Sequence, residues 1–261
     1  MRLQGKNAMI TGGARGQGAA EARAFIKAGA KVLITDVEEK DGTALAKELG
    51  ENAFFLKHDV AEDKDWLAAI KQAKDKLGGL DVLVNNAGIY EPGSIADTSV
   101  EDFERQFRIN QLGTFLGMKH AAPVMGKGGS IINISSVAGM EGFPGACAYV
   151  GTKWAVRGMT KTAAKEFGEQ GIRVNSIHPG FIDTDMLDAN DDEANAQGKE
   201  DTPLKRFGTA EDIANTVLFL ASPLARNITG QAIVCDGGYS IRSGMWADVH
   251  EYKQDHPWDT M

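Results

Sequence analysis

Several short stretches of this chain are almost continuously apolar, where a strand with one wet face would alternate apolar and polar residues. The runs VLIT, FFL, VLV, IINI and AIV are the clearest of them. Continuous runs of this length, rich in β-branched residues, suit strands buried on both faces, which is the condition of a parallel sheet covered by helices. They place strands over Ala8–Thr11, Lys31–Asp36, Ala53–Val60, Leu80–Asn85, Ser130–Ser135, Arg173–His178 and Gln231–Cys235. Between them apolar residues step by threes and fours: Trp66, Ile70, Ala73 and Leu77, then Val100, Phe103 and Phe107, then Ile213, Val217 and Leu220. Strand and helix alternating throughout require right-handed crossovers and a doubly wound α/β sheet of about seven parallel strands with helices on both faces. With 261 residues, no internal repeat and no linker-like shift in composition, the chain reads as a single domain over 1–261.

Two stretches break the alternation. Residues 183–208 are long, polar and weakly periodic, as functional or mobile loops are. The tail at 239–261 carries Trp246, Tyr252 and Trp258 among charges, and reads as a frayed end or as an arm docked on an apolar surface. Net charge is −8 with no block of lysine or arginine, which argues against nucleic acid or an anionic membrane as partner. No apolar stretch reaches the ~20 residues that span a bilayer, and no signal pattern opens the chain, so a cytoplasmic location is expected. Cys147 and Cys235 lie far apart without metal-ligand spacing and read as reduced thiols.

The first strand runs into TGGARGQG, residues 11–18, and then into an alanine-rich helix. Unpaired N–H groups and the helix dipole make such a turn an anion site. Gly12 permits the turn; Gly16 and Gly18 let the backbone approach a pyrophosphate and let the helix pack on the sheet. No lysine follows, so the spacing is not that of a triphosphatase loop. Asp36, at the end of the second strand, stands where a carboxylate hydrogen-bonds the adenosine ribose and repels a 2′-phosphate. NAD is the cofactor expected, although Arg15 in the turn is a group that pairs with a 2′-phosphate.

Downstream, CAYVGTKWAVRG sets Tyr149 and Lys153 four apart on one helix face. An ammonium beside a phenol favours phenolate and makes it usable as acid or base. GSIINISS ends a buried strand with Ser135 and Ser136, and LVNNAG ends another, both at the edge where parallel sheets bind ligands. Either serine hydroxyl is placed to bond a carbonyl oxygen. His58, His120 and His178 are isolated and read as structural.

TGGARGQG, Asp36, HDV at 58–60, NNAG at 85–88, Asn110 in FRINQLGTF, ISS at 134–136, Tyr149 with Lys153, and HPGFIDT at 178–184 follow one another in an order that resembles the short-chain dehydrogenase/reductase family, over about residues 5–238. The resemblance implies a Rossmann-type sheet in order 3-2-1-4-5-6-7. It implies Tyr149 as catalytic acid/base, and Lys153 as the residue that binds the nicotinamide ribose and lowers the tyrosine pKa. The family's serine lies thirteen residues before its tyrosine, which selects Ser136, and Asn110 matches the asparagine of the proton relay. By the same carry-over Gly12, Arg15, Gly16, Gln17 and Gly18 meet the pyrophosphate region. Asp59 and Val60 meet adenine, Asn86, Ala87 and Gly88 wall the ribose, and the Pro179–Thr184 segment, with Gly180, Ile182 and Thr184, meets nicotinamide. A homotetramer, built through the long helices at about 100–125 and 150–168 and the last strand, is also implied.

For the substrate, the resemblance makes 183–208 a lid. Its Asp183, Asp185, Asp188, Asp191, Asp192, Glu193, Glu200 and Asp201 outnumber Lys199, Lys205 and Arg206 and disfavour anionic acyl carriers. Met140, Phe143, Phe181, Met186 and Leu187 suit a small apolar alcohol or ketone. The combination of GGARGQG, TKWAVRG and VNSIHPG looks most like the bacterial hydroxysteroid dehydrogenases of the family, typified by the 3α/20β type. The other readings are a 3-oxoacyl thioester reductase and a dinucleotide-sensing protein without turnover; sensors of that kind lose the tyrosine or lysine that this chain keeps.

Overall fold

The computed structural model describes residues 3–189 and 192–241. Asp191 and the tail aromatics Trp246, Tyr252 and Trp258 lie outside the described residues. The elements run β1 Asn7–Thr11, α1 Gly16–Lys27, β2 Lys31–Asp36, α2 Glu39–Leu49, β3 Ala53–Lys57, α3 Asp63–Gln72 and β4 Leu80–Asn85. They continue with α4 Val100–Gln106, α5 Gly113–Ala121, β5 Met125–Ile134, α6 Cys147–Glu166, β6 Arg173–Pro179, α7 Asp192–Asp201, α8 Ala210–Ala221 and β7 Ala232–Cys235. All seven strands pair in parallel in one sheet, in the order β3-β2-β1-β4-β5-β6-β7.

The sheet is buried on both faces because its residues alternate between two cores. Ile10, Ile34, Val84, Ile132 and Ile177 pack toward Phe25 of α1 and Val217 of α8. Met9, Leu33, Leu83, Ile131 and Val174 pack toward Trp66 of α3 and Leu116 of α5. Strand order reverses between β1 and β4, and the crevice at the carboxyl ends of the strands there is where such sheets bind ligands.

Three departures from the sequence expectation exceed a single residue. β3 stops at Lys57, not Val60, because His58 turns inward to Thr35 Oγ1 at 3.0 Å and Asp59 Oδ1 accepts the Ala61 N–H, ending extended chain. β5 starts early, at Met125, with a register shift against β4 between Leu80 and Val82. The polar stretch at 183–208 contains helix α7. Its mostly exposed residues leave no apolar rhythm to read, while Asp192 and Glu193 in its first turn suit the helix dipole.

Candidate active site

A cavity of about 700 Å³ opens along the carboxyl edge of the sheet and collects most of the expected residues. At one end is the glycine turn. Gly12 has φ +61°, and a Cβ there would lie 2.7 Å from Ala87 Cα. At Gly18 a Cβ would lie 2.3 Å from the Gly12 oxygen, so α1 closes onto the turn only without a side chain. Gly18 is therefore a packing residue beneath the cavity rather than part of its wall. No side chain caps α1 and no acidic residue occupies its first turn, which leaves the leading N–H groups for a ligand anion.

Asn86 stitches this turn to β4. Its Nδ2 donates to the Thr11 and Gly12 carbonyls, both at 3.0 Å. Asp36 is half-buried at the end of β2, held by the N–H groups of Ala14 at 3.0 Å and Glu38 at 3.1 Å. Arg15 leans toward Asp185 of the 183–208 stretch, 3.7 Å away, and both side chains are exposed. Asp59, Val60, Ala87, Gly88, Pro179, Gly180, Ile182 and Thr184 line the same cavity.

The residues fit a dinucleotide. Gly16, at φ +54°, faces open space in which a Cβ would meet nothing nearer than Thr184 at 3.7 Å. Gln17 lines the cavity with a buried Oε1 that has no partner among the described residues.

At the other end stand Ser136, Tyr149 and Lys153. Ser136 Oγ accepts the Ala138 N–H at 3.1 Å, leaving its own proton to donate. Ser135, the other serine, is excluded from that role: its hydroxyl is buried and donates to the Lys153 carbonyl at 2.9 Å. Lys153 Nζ donates to the Ile134 carbonyl at 2.9 Å and lies 5.4 Å from the centre of the Tyr149 ring. Burial pushes Lys153 down to about 8.

Burial also pushes Tyr149 up to about 12; the Ser136 hydroxyl opposes the rise and the neighbouring Tyr90 adds to it. The expected lowering of the tyrosine is thus not found, because loss of water outweighs a lysine bonded elsewhere.

Asn110 is buried behind this group, outside the cavity wall. It lies in a π-helical turn, Phe107–Leu112, between α4 and α5. Its Oδ1 accepts the Ile89 N–H at 2.8 Å, and its Nδ2 donates to the Ile89 carbonyl at 2.9 Å and to Thr152 Oγ1 at 3.2 Å. A Cβ on Gly88 would fall 3.3 Å from Asn110 Oδ1 and 3.4 Å from Lys153 Nζ, so the two side chains converge on one spot.

Phe143, Phe181, Met186 and Leu187 line the cavity, but Met140 does not. Met140 closes the tight turn Val137–Gly139, its N–H bonded to the Val137 carbonyl at 2.8 Å, and its side chain leaves the wall. Sequence reasoning missed Tyr90, whose ring lies 5.1 Å from that of Tyr149 and which lines the pocket. Tyr90 stands two residues past the NNAG motif, where no sequence signal singles it out, and only the fold brings it to Tyr149. It also missed Tyr239, which packs behind both Phe143 and Phe181, with ring centres 6.1 and 5.1 Å away.

Comparison with known proteins decides the family. Residues 12–240 match the family described as enoyl-(acyl carrier protein) reductase. The chain is 41% identical to a trans-4-hydroxycyclohexanecarboxylate dehydrogenase of Sinomonas cyclohexanicum, over 95% of this chain and 98% of that one. It is 42% identical to a 3-alpha-(or 20-beta)-hydroxysteroid dehydrogenase of Mycobacterium tuberculosis, over 91% of this chain and 90% of that one. The chain belongs to the short-chain dehydrogenase/reductase family. It is an alcohol/ketone oxidoreductase acting on CH–OH donors. Its fold matches the crystal structure of a blue fluorescent protein from a metagenomic library in complex with NADPH, with TM-score 0.87 and 38% identity, covering 92% of this chain and 99% of that one. Among the described residues no helix is long and apolar enough to cross a membrane, and no cluster of metal-ligating side chains occurs.

Proposed function

We propose that the chain is an NAD-dependent dehydrogenase of uncharged cyclic secondary alcohols, with hydroxysteroids the first to test. The observation that carries this reading is one continuous cavity, with the glycine turn and Asp36 at one end and Ser136, Tyr149 and Lys153 at the other. The Asp36 carboxylate disfavours a 2′-phosphate, and the residues after it, Val37 and Glu38, offer no cation to receive one.

A bound dinucleotide supplies hydride chemistry and, when oxidised, a positive charge beside the tyrosine. Ser136 turns its hydroxyl hydrogen to the alcohol or carbonyl oxygen. Tyr149 takes the alcohol proton on oxidation and returns it on reduction. Lys153 holds the nicotinamide ribose, and Asn110 stands in the relay behind it. Because burial keeps the proton on Tyr149, oxidation is expected to accelerate as pH rises through neutrality, and reduction is expected to be favoured at lower pH.

Apolar walls from Phe143, Phe181, Met186 and Leu187 support a ring-shaped substrate. Among the described residues, Arg15 and Lys153 are the only lysine or arginine side chains lining the cavity. Arg15 faces Asp185 and Lys153 is bonded to the Ile134 carbonyl. A carboxylated alcohol, such as that named for the Sinomonas relative, finds no free cation there. The acid-rich 183–208 stretch, acting as a lid, would repel an acyl carrier in the same way. A homotetramer in the cytoplasm completes the reading.

The test is the absorbance of reduced nicotinamide while purified protein meets hydroxysteroids, neutral cyclohexanols and a hydroxycyclohexanecarboxylate, each with NAD and NADP. Turnover of neutral cyclic alcohols with NAD, abolished in Tyr149→Phe with NADH binding retained, is the expected result. Preference for the carboxylate would overturn the neutral pocket, and preference for NADP would overturn the role of Asp36.

A further inference from the structure

β5 and β6 pair in register up to Ile134 and Ile177, and the Ser135 N–H donates to the Ile177 carbonyl at 2.8 Å. The next donor of a parallel ladder would be the N–H of residue 179. That residue is proline, which has none, so the backbone ladder ends at this point. Beyond it the strands part. Ser136 enters the tight turn Val137–Gly139, and the chain after Pro179 runs along the cavity as Gly180–Thr184.

One side chain bridges the gap. His178 is fully buried, and its Nδ1 lies 2.8 Å from the Ser136 carbonyl oxygen, while its Nε2 lies 2.9 Å from Ser176 Oγ. A carbonyl only accepts, so Nδ1 carries the proton and Nε2 accepts from the Ser176 hydroxyl. The partners leave the ring a single neutral tautomer and a single orientation. The Ser136 carbonyl also accepts the Gly139 N–H at 2.8 Å, and Ser136 Oγ accepts that of Ala138, so the turn is fixed locally by these bonds and to β6 by His178.

We propose that His178 is a positioning residue: it replaces the ladder bond lost at Pro179 and sets the distance between the Ser136 hydroxyl and the 179–184 segment. The inference rests on the reading of Ser136 as donor to the substrate oxygen and of 179–184 as the nicotinamide seat. On that reading the two ends of the bridge carry the two reactants, and an error of about 1 Å between reactants costs on the order of a hundredfold in rate.

The test is a double-mutant cycle measured on the full chain. Ser136→Ala alone must lower kcat by about a hundredfold or more, as loss of a donor to the reacting oxygen does; no loss would sink the reading of Ser136 itself. With that in hand, His178→Leu is expected to lower kcat by about tenfold or more, with the NADH dissociation constant and the KM for alcohol changed less than about twofold. In the Ser136→Ala background the same substitution should cost almost nothing further.

His178→Asn, whose amide nitrogen reaches the place of Nδ1, should restore most of kcat. His178→Gln, whose amide sits one bond further out, should not. Should His178→Leu fail to fold, Ser176→Ala keeps the imidazole but removes the hydroxyl that holds Nε2, and its smaller loss of kcat should likewise vanish on the Ser136→Ala background. Costs that simply add, or a His178→Asn protein that binds NADH normally yet turns over no better than His178→Gln, would overturn the proposal.

Discussion

The Glu21 carboxyl sits in α1, fully buried, and neither oxygen has a hydrogen-bond partner among the described residues. Burial raises its pKa well above 4.5, so the folded protein holds it neutral. The folded value lies above the unfolded one; its relative stabilisation is therefore complete in acid and is lost as pH rises past 4.5, where the unfolded chain ionises first. Glu21→Gln removes that slope. The two proteins should melt together near pH 4.5, and the variant should gain about 1–3 kcal/mol, a few degrees, by pH 8. A melting gap independent of pH would show that the carboxyl is not the cause. Asp36 makes the other argument at this scale. Its two oxygens take the N–H groups of Ala14 and Glu38, so the carboxylate is fixed before any ribose arrives. Asp36→Ala should bring the NADH and NADPH dissociation constants together, chiefly by weakening NADH about tenfold; an unchanged ratio, read by nicotinamide fluorescence, would place cofactor choice elsewhere. Both residues were visible in the sequence, yet only Asp36 announced a role, since a strand-end acid beside a glycine turn has a known geometry. Nothing in AAEARAF reveals that Glu21 faces inward without a partner.

Among the elements, α7 rests on the substrate wall through a glycine. A Cβ on Gly198 would meet Phe181 ring atoms at 2.8, 2.9 and 3.0 Å. That ring cannot retreat freely, held between Phe207 and Tyr239 with centres 6.2 and 5.1 Å away. Gly198→Val should therefore lift the helix and raise the KM for a ring-sized alcohol several-fold, while the NADH dissociation constant stays put; steady-state kinetics with both readouts decides it. An unchanged KM would mean that α7 does not bear on the substrate. The strands of the sheet could be read from the chain because burial on both faces writes itself as uninterrupted apolar runs such as VLIT and IINI. α7 could not, because a helix lying on the surface by one small residue leaves no periodic stripe. The π-helical turn at Phe107–Leu112 was equally silent: it shifts the helix by one residue so that Asn110 meets Ile89 and Thr152, and no spacing of apolar residues encodes that shift. In the site, the motifs located the glycine turn, Ser136, Tyr149 and Lys153. Tyr90 and His178 acquire their places only from neighbours distant in sequence.

For the whole molecule, the stripe that marked residues 100–107 as a helix faces outward. Phe103 is 47% exposed, Phe107 39%, Phe115 47% and, on the adjoining α6, Trp154 46%. A stripe of this kind ordinarily buries against the same chain, and here the core is already filled by Trp66, Leu116 and the other residues behind α3 and α5. Four large aromatic faces left in water on neighbouring helices are what the proposed homotetramer would bury. A second copy presenting the same helices would meet them about a two-fold axis, with like residues facing like. The chain should therefore migrate in sedimentation as a multiple of its 27.9 kDa mass, with a tetramer expected. Phe107→Glu, which sets a charge in the middle of the stripe, should yield a smaller species without loss of the folded sheet, as read by circular dichroism. The active-site cavity lies at the strand ends, and none of these four residues lines it. The smaller species should then retain NADH binding, and any fall in turnover would measure how far assembly steadies α6, the helix that carries Tyr149 and Lys153. A wild-type chain sedimenting as a single copy would leave the aromatic stripe without a homomeric partner and remove assembly from the account.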